Sequence, residues 1–310
     1  MPDPDRKTIS ASEAPALWNA SPYVTRWMLW QKFANGVDID NGEEHSRMSW
    51  GKKMQPLIAA QVAQDKKLEV IPNADDTYVR RRRLGCTRDA TIICPDRGAG
   101  ALEIKCVFDY KIWAEKWGNG EVVPREYEIQ LQTQMYVGDG DERDWRWKYD
   151  WGLIAVWVCA DLYYFERKPI HDLWKELDLK SCAFFDDIDE GREPDAFGAE
   201  CEAPFIKSLF PDVTPAKELD FSADYDHVKT SEDVSMYQYH KDLVAGNCAP
   251  AERLRLKLLA LARDAERVKL PCGVSYRIKK SGKGKTIIPY VPDRPLPPPP
   301  PKGETILAAG

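Results

Sequence analysis

The 310-residue chain has no charged-then-apolar leader at its N-terminus, and no apolar run approaches the roughly 18 residues a membrane-crossing helix needs. Secretion and membrane insertion are not indicated, and the chain reads as cytoplasmic. Its eight cysteines (86, 94, 106, 159, 182, 201, 248 and 272) include no C-x-x-C and no close pair. That argues against a zinc finger, leaves no framework for disulfides and offers no spaced set for an iron–sulfur cluster; the cysteines read as isolated buried thiols. An excess of positive charge is missing too. With a formal net charge of -6, any affinity for a polyanion has to come from local clusters of basic residues.

What is present is enough apolar material for a full core, 43% of residues, distributed as one large domain with an appendage. Thr8–Ala20 reads as a short helix capped by Ser10 or Ser12 and broken by "SPY" at 21–23. A second helix starts with Thr25 as cap and stops at Asn35-Gly36. A third covers Met48–Lys66 with Pro56 inside it. Strands are expected at Leu68–Ile71, Tyr78–Cys94 and 101–108. An aromatic-rich loop or short helix (Trp113–Gly120) precedes a helix opened by Pro124 and ended by Gly138. Two strand-like runs, "WGLIAVWVC" and "LYYFERK", lead into a long helix ending near Gly191. This order predicts an α/β (α+β) core with a central mixed sheet flanked by helices, because helices interrupt the strands without regular βα alternation. The core is expected over 1–195. The appendage, 196–292, comprises an acidic segment of uncertain structure, an amphipathic helix over Ala249–Leu270 and a basic hairpin. Residues 293–310, "DRPLPPPPPKGETILAAG", are expected to be an unfolded tail.

The stretch "LGCTRDATIICPDRGAGALEIKCVFD", Leu84–Asp109, reads as a hairpin around the turn formers Pro95–Gly100. Three charges sit inside its apolar runs: Asp89, Glu103 and Lys105. Alternation puts Glu103 and Lys105 on one face, about 6.5 Å apart, with Leu102, Ile104 and Cys106 on the other. Folding the chain about residue 96 brings Asp89 level with Glu103, provided no bulge slips the register. An edge hairpin with ordinary solvated charges would show the same alternation. Alternatively the two carboxylates share a hard divalent cation, the usual remedy for forced repulsion, and this is the reading preferred here. Arg80 to Arg83 and Arg88 precede Asp89; in an extended segment they would project to both faces, as a solvated basic strand or as a grip on phosphates.

Asp89, then Glu103-Ile104-Lys105, then a helix bearing "QLQ" resemble the PD-(D/E)XK nuclease superfamily, and within it the YqaJ-like viral recombinases related to phage lambda exonuclease. The likeness extends in order through "ASE" (11–13), "SPY" (21–23), "WGK" (50–52), "GCTRDA" (85–90), "LEIK" (102–105), Pro124–Met135 and "FFDDIDEGREP" (184–194). It implies a restriction-endonuclease-like core and a Mg²⁺-dependent DNA exonuclease, with Mn²⁺ able to substitute. The metal would be held by Asp89, Glu103 and the Ile104 carbonyl, and Lys105 would orient or deprotonate the attacking water. Gln130 or Gln132 would help place that water. The two point roughly 200° apart on a helix, and Gln132 is preferred because it makes Q-x-x-x-Y with Tyr136. Where the family carries a glutamate after "WGK", this chain has Gln55, which weakens a second metal site. Ser10, Ser12, Ser21 and Arg26 fall where a terminal phosphate would be received, beside Arg81, Arg83 and Arg88. The implied reaction degrades one strand of a double-stranded DNA end, 5′ to 3′, in phage-type recombination with a single-strand annealing protein as partner and a ring-shaped homotrimer as the assembly. An endonuclease or end-trimming enzyme, or a catalytically lapsed DNA-binding module, are the alternatives.

Overall fold

In the computed structural model, which describes residues 8–39, 46–73, 78–139, 148–243, 249–281 and 284–290, the N-terminal segment is pinned by strand pairing. It does not form the helix expected over Thr8–Ala20. Strand β1 (Ile9–Ser10) leads into a single 3-10 stretch, Ala14–Trp18, with proline in its first turn. Ser10 caps nothing: its hydroxyl contacts Ser12 Oγ (3.1 Å) and donates to Glu13 Oε2 (2.6 Å). Helix α1 (Arg26–Asn35) is built as its sequence predicts, with Thr25 Oγ1 accepting from Met28 N (3.3 Å) and Gly36 leaving the helix at φ 67°. Helix α2 (Ser46–Lys66) runs through Pro56.

After β2 (Glu69–Pro72), the single strand expected over Tyr78–Cys94 is three: β3 (Val79–Arg81), β4 (Leu84–Cys86) and β5 (Ala90–Cys94). The chain doubles back within the arginine run, where Arg82 takes φ 55°. So the run is a tight turn, not an extended basic strand. β1 pairs parallel to β4, and β4 antiparallel to β3, as a small separate sheet.

The main sheet adds β6 (Gly98–Val107), then, after α3 (Tyr110–Trp117) and α4 (Arg125–Asp139), β7 (Gly152–Val158) and β8 (Asp161–Arg167); α5 (His171–Asp189) follows. Its order is β2-β5-β6-β7-β8, with β6 and β7 parallel and the other pairs antiparallel. The fold is therefore mixed α/β. β6 occupies the middle of the sheet and is buried on both faces. Leu102 and Ile104 pack with Ile58, Ala59 and Val62 of α2. Ala99, Ala101 and Val107 belong to the opposite core, which α4 and α5 supply with Ile129, Met135, Leu177 and Phe184. An edge hairpin with solvated charges is thereby excluded.

Two compact units are present, Met1–Pro194 and Asp195–Gly310. In the second, the segment of uncertain structure contains α6 (Glu202–Leu209), β9 (Thr214–Asp220) and α7 (Val228–Leu243). Glu202, fully buried, accepts from the main-chain amides of Phe197, Gly198 and Ala199, which explains how an acidic stretch can close on itself. Helix α8 (Ala249–Ala262) is shorter than expected: Arg263 turns to φ 54° and Ala265–Lys269 becomes strand β10. The basic hairpin is observed as β11 (Ser275–Ser281) and β12 (Gly284–Tyr290), paired Lys280 to Lys285. The sheet runs β12-β11-β10-β9. The proposed tail, 293–310, lies outside the described residues. Among the described residues no helix is long and apolar enough to cross a membrane. Of the cysteines expected to be buried, Cys86 is, but Cys159 is exposed, at the left-handed turn between β7 and β8.

Candidate functional site

The β5–β6 hairpin decides the geometry of the site. Ala90 pairs with Leu102 and Cys94 with Gly98, with no bulge between. Asp89 stands one residue before that ladder, at a bend outside β5, and its carboxylate turns to the Ile104 amide. Gly98 makes the turn at φ 73°. Gly100 has no Cβ because the Trp151 ring lies over it: an added Cβ would meet Trp151 Cε2 at 2.6 Å.

Glu103 is only 2% exposed, so each of its oxygens needs a donor. Lys105 Nζ approaches Oε1 at 2.6 Å, and Gln130 Nε2 donates to the same oxygen at 2.8 Å. Gln134 Nε2 donates to Oε2 at 2.5 Å. Gln130 and Gln134 are four residues apart on α4, hence on one face. Lys105 also donates to Gln130 Oε1 (3.0 Å) and sits 4.8 Å from the Tyr127 ring centroid. Tyr127 is hydrogen-bonded to Tyr23, which brings the "SPY" segment beside the lysine.

Asp89 reaches the group from the α2 side. Its Oδ2 accepts from Ile104 N (2.8 Å) and its Oδ1 from Gln55 Nε2 (3.0 Å). Burial first, and the neighbouring Glu103 second, push its carboxyl up to about 7, against Lys105 and the two donors that favour the charge. Burial opposes the Lys105 charge, but Glu103 and Asp89 outweigh it and hold the ammonium above the ordinary lysine range. A buried acid pair whose second charge is resisted is an electrostatic demand for a cation. Asp89 opens on a cleft of about 380 Å³ between α2 and β2, bordered by Lys52, Gln55, Pro72 and Asn73.

Gln132 is not part of this group. Fully buried, it donates to Lys168 O (2.9 Å) and Glu128 Oε1 (3.1 Å) and accepts from Ile170 N (2.9 Å) and Trp174 Nε1 (3.0 Å). It fastens α4 to the start of α5. Tyr136 likewise serves packing: its hydroxyl donates to Asp178 (3.0 Å) and its ring meets Trp174 edge-on. The preference for Gln132 is corrected in favour of Gln130, and Gln134 is a contact not anticipated at all. Its signal was the i, i+4 spacing from Gln130.

The phosphate candidates are dispersed. Ser10 and Ser12 sit together, bound to Glu13, which also pairs with Lys32 (2.5 Å). Ser21 Oγ accepts from the amides of Tyr23 and Val24 (both 3.2 Å), closing the "SPY" turn. Arg26 is paired with Asp187 of α5 (2.6 Å). Arg81 holds Asp139 and the Tyr136 carbonyl at the far end of α4, Arg83 lies over Phe185, and Arg88 is buried. Ser21 is linked to the acid pair through Tyr23 and Tyr127, and Arg88 adjoins Asp89 in the chain. Arg81 and Arg83 are engaged with α4 and α5 where they stand.

Among the described residues, no group of three or more His, Cys, Asp or Glu side chains gathers into a metal cage. Two carboxylates and main-chain or amide oxygens are nonetheless a donor set that suits Mg²⁺, which keeps several waters and takes only one or two carboxylates.

Residues 5–141 match the model of the YqaJ-like viral recombinase domain. None of the curated proteins matches the chain. Among solved structures, an alkaline exonuclease (LHK-Exo) from Laribacter hongkongensis is similar at 17% identity, over 60% of this chain and 90% of that one, with a TM-score of 0.45. The same enzyme in complex with dAMP gives the same figures. A phage related exonuclease from Haemophilus somnus 129PT is similar at 12% identity, over 59% of this chain and 96% of that one, with a TM-score of 0.42.

Proposed function

We propose, for a chain that carries a YqaJ-like viral recombinase domain over residues 5–141, that the first unit is a metal-dependent deoxyribonuclease with a restriction-endonuclease-like core, acting as an exonuclease on duplex DNA ends. The observation that carries this reading is the buried Asp89–Glu103 pair with Lys105 beside it: Glu103 on the central strand and Asp89 just before its neighbour, close enough to repel and next to an open cleft. Buried charges of that kind cost stability unless something is gained from them.

Asp89, Glu103 and the Ile104 carbonyl would hold Mg²⁺. When bound, the ion supplies neutralisation of phosphate charge and makes water a better nucleophile at neutral pH. The chain's own residues do the rest. Gln130 and Gln134 fix the Glu103 carboxylate by one donor on each oxygen. Lys105, beside the Glu103 carboxylate, orients or deprotonates the attacking water and meets charge developing on the phosphate. Gln55 steers Asp89 with an amide and adds no charge, so Mn²⁺ is expected to serve at least as well as Mg²⁺. The 5′ to 3′ direction, the ring-shaped trimer and the annealing partner rest on the family resemblance and belong to the same proposal.

The test incubates the protein with end-labelled linear duplex and with closed circular DNA, in Mg²⁺ and in EDTA, beside Glu103→Gln. Metal-dependent loss of the linear substrate alone, abolished in the variant, is expected. Nicking of the circle would replace the exonuclease with an endonuclease. Metal-independent binding without cleavage of either substrate would leave a lapsed DNA-binding module.

A further inference from the structure

The second unit has a cavity of its own. Between α6, α8 and the β11–β12 hairpin lies a pocket of about 290 Å³ whose apolar surface comes from Ile206, Phe210, Leu256 and Leu259. Its rim is Lys207, Arg255, Lys280 and Lys285, and among the described residues no acidic side chain lines it. The volume falls at the lower end of small-ligand pockets, about 300–1,000 Å³, the scale of a single planar ring system.

The rim is electrostatically incomplete. Arg255 is held by both oxygens of Glu252 (2.6 and 2.7 Å). Lys280 pairs with Asp212 Oδ1 (2.5 Å), while Lys285 finds only the Asp212 carbonyl (3.0 Å) and Arg255 donates to the Lys285 carbonyl (3.4 Å). Among the described residues, three carboxylates, Glu252, Asp212 and Asp264, thus answer four cations, and Asp264 is itself paired with Lys217. The Lys285 ammonium is pushed down by burial first, against the pull of Asp212 and Asp264, with Lys280 adding to the downward push. The segment Arg277–Lys285, "RIKKSGKGK", carries five cations and no acid. The structure places Lys280 and Lys285 directly across the hairpin from each other at the pocket's mouth.

We propose that this pocket and hairpin bind single-stranded DNA, with one unpaired base entering the apolar cavity and the flanking phosphates on Lys207, Lys280 and Lys285. A base stacked inside a duplex is not available to such a pocket, whereas an unpaired strand presents a ring and a charge at every step. An acidic peptide with one apolar anchor would satisfy the pocket but has no repeating charge for the rest of the hairpin. The proposal is independent of the nuclease reading, because binding needs neither the metal nor the acid pair.

The test measures anisotropy of a fluorescent oligo(dT) with the full-length protein in EDTA, across a KCl series. Lys280→Ala/Lys285→Ala is compared with wild type, and Ala203→Trp, at a pocket-lining position, fills the cavity. Removal of two phosphate contacts from a single strand is expected to flatten the log–log salt slope by about 1.4. The filled pocket is expected to weaken binding about tenfold with the slope unchanged, within the range of one lost base stack. Circular dichroism of both variants establishes that they fold. Unchanged affinity and slope in both folded variants would overturn the proposal. So would a Glu-rich, phenylalanine-containing peptide that binds wild type and neither variant while oligo(dT) binding is the same for all three, which would assign the pocket to a protein partner. Linear-duplex cleavage measured in parallel keeps failure of the nuclease reading separate from failure of this one.

Discussion

Replacing Asp89 by asparagine separates what the site does for function from what it costs the fold. The carboxyl is raised from 3.8 to about 7. A group whose folded pKa is raised contributes stability below its unfolded pKa and loses it as pH climbs through the folded value. Without metal, the wild-type unit is therefore expected to lose stability between about pH 4 and pH 7. The shift is about three units at roughly 1.4 kcal/mol each; relaxation and water entry around the buried charge leave a loss on the order of 2–4 kcal/mol. The Asp89→Asn side chain has no charge to bury. Its carbonyl can keep the Ile104 amide, and half-buried Gln55 needs only to turn its own amide to accept from the new NH₂ group. All eleven tryptophans lie before residue 195, so tryptophan fluorescence reports the unfolding of the first unit alone. In EDTA at about pH 4 the two proteins are expected to melt close together. At pH 8 Asp89→Asn is expected to melt about 5–10 °C higher, at about 2–4 °C per kcal/mol for a unit of this size. Saturating Mg²⁺ should raise the wild-type midpoint and leave the variant's unchanged, and cleavage should be lost in the variant. A variant that melts below wild type at pH 8 in EDTA, or a gap that does not close on acidification, would refute the electrostatic account.

The glutamines on α4 are expected to divide cleanly. Gln130→Ala should reduce cleavage about tenfold or more, through a displaced carboxylate and lysine, with little change in melting. Gln132→Ala, which leaves Trp174 Nε1 and Ile170 N without an acceptor, should cost on the order of 2–4 kcal/mol in urea unfolding. Gln55→Glu adds a carboxylate beside Asp89; it should lower the metal-free melting temperature and shift activity toward Mg²⁺, read as a falling Mn²⁺/Mg²⁺ rate ratio. Gly100→Ala forces a Cβ into the Trp151 ring and should destabilise by about 1–3 kcal/mol. An equal midpoint for that variant would mean the indole moves freely.

The nearness of the two acids was legible because a glycine-marked turn sets the register of a short hairpin; the side from which Asp89 reaches Glu103 was not, because Asp89 stands at a bend just outside the ladder and meets Gln55 of α2. Composition said nothing of where the hairpin sat in its sheet; the central position of β6 appears only when β7, which begins at Gly152 beyond two intervening helices, pairs with it. The Gln132 error has a related cause. Helical angle separates Gln130 from Gln132, but α4 is buried nearly all round, so burial and polarity do not tell which amide faces Glu103 and which faces α5. β1 is two residues long and pairs with Leu84 and Gly85, which no local pattern reveals. The helix ending at Ala262 was overextended because "DAERVKL" continues its apolar spacing while Arg263 alone, at positive φ, breaks it.

The stitch between β1 and β4 has a consequence for how the polypeptide is made. Ile9, Ala14 and Leu17 share a core with Trp174, Leu177 and Phe184, and Trp27 and Gln31 both donate to Glu193. On the ribosome, the N-terminal segment has no strand to join until residue 86 has emerged, and no lid until α5 has. Contacts so distant along the chain are slow to close. The unit is expected to have no autonomous N-terminal subfragment. A nascent chain halted before α5 should remain protease-sensitive from Ile9 onward, and release past residue 194 should protect Ile9–Leu17 and α5 together.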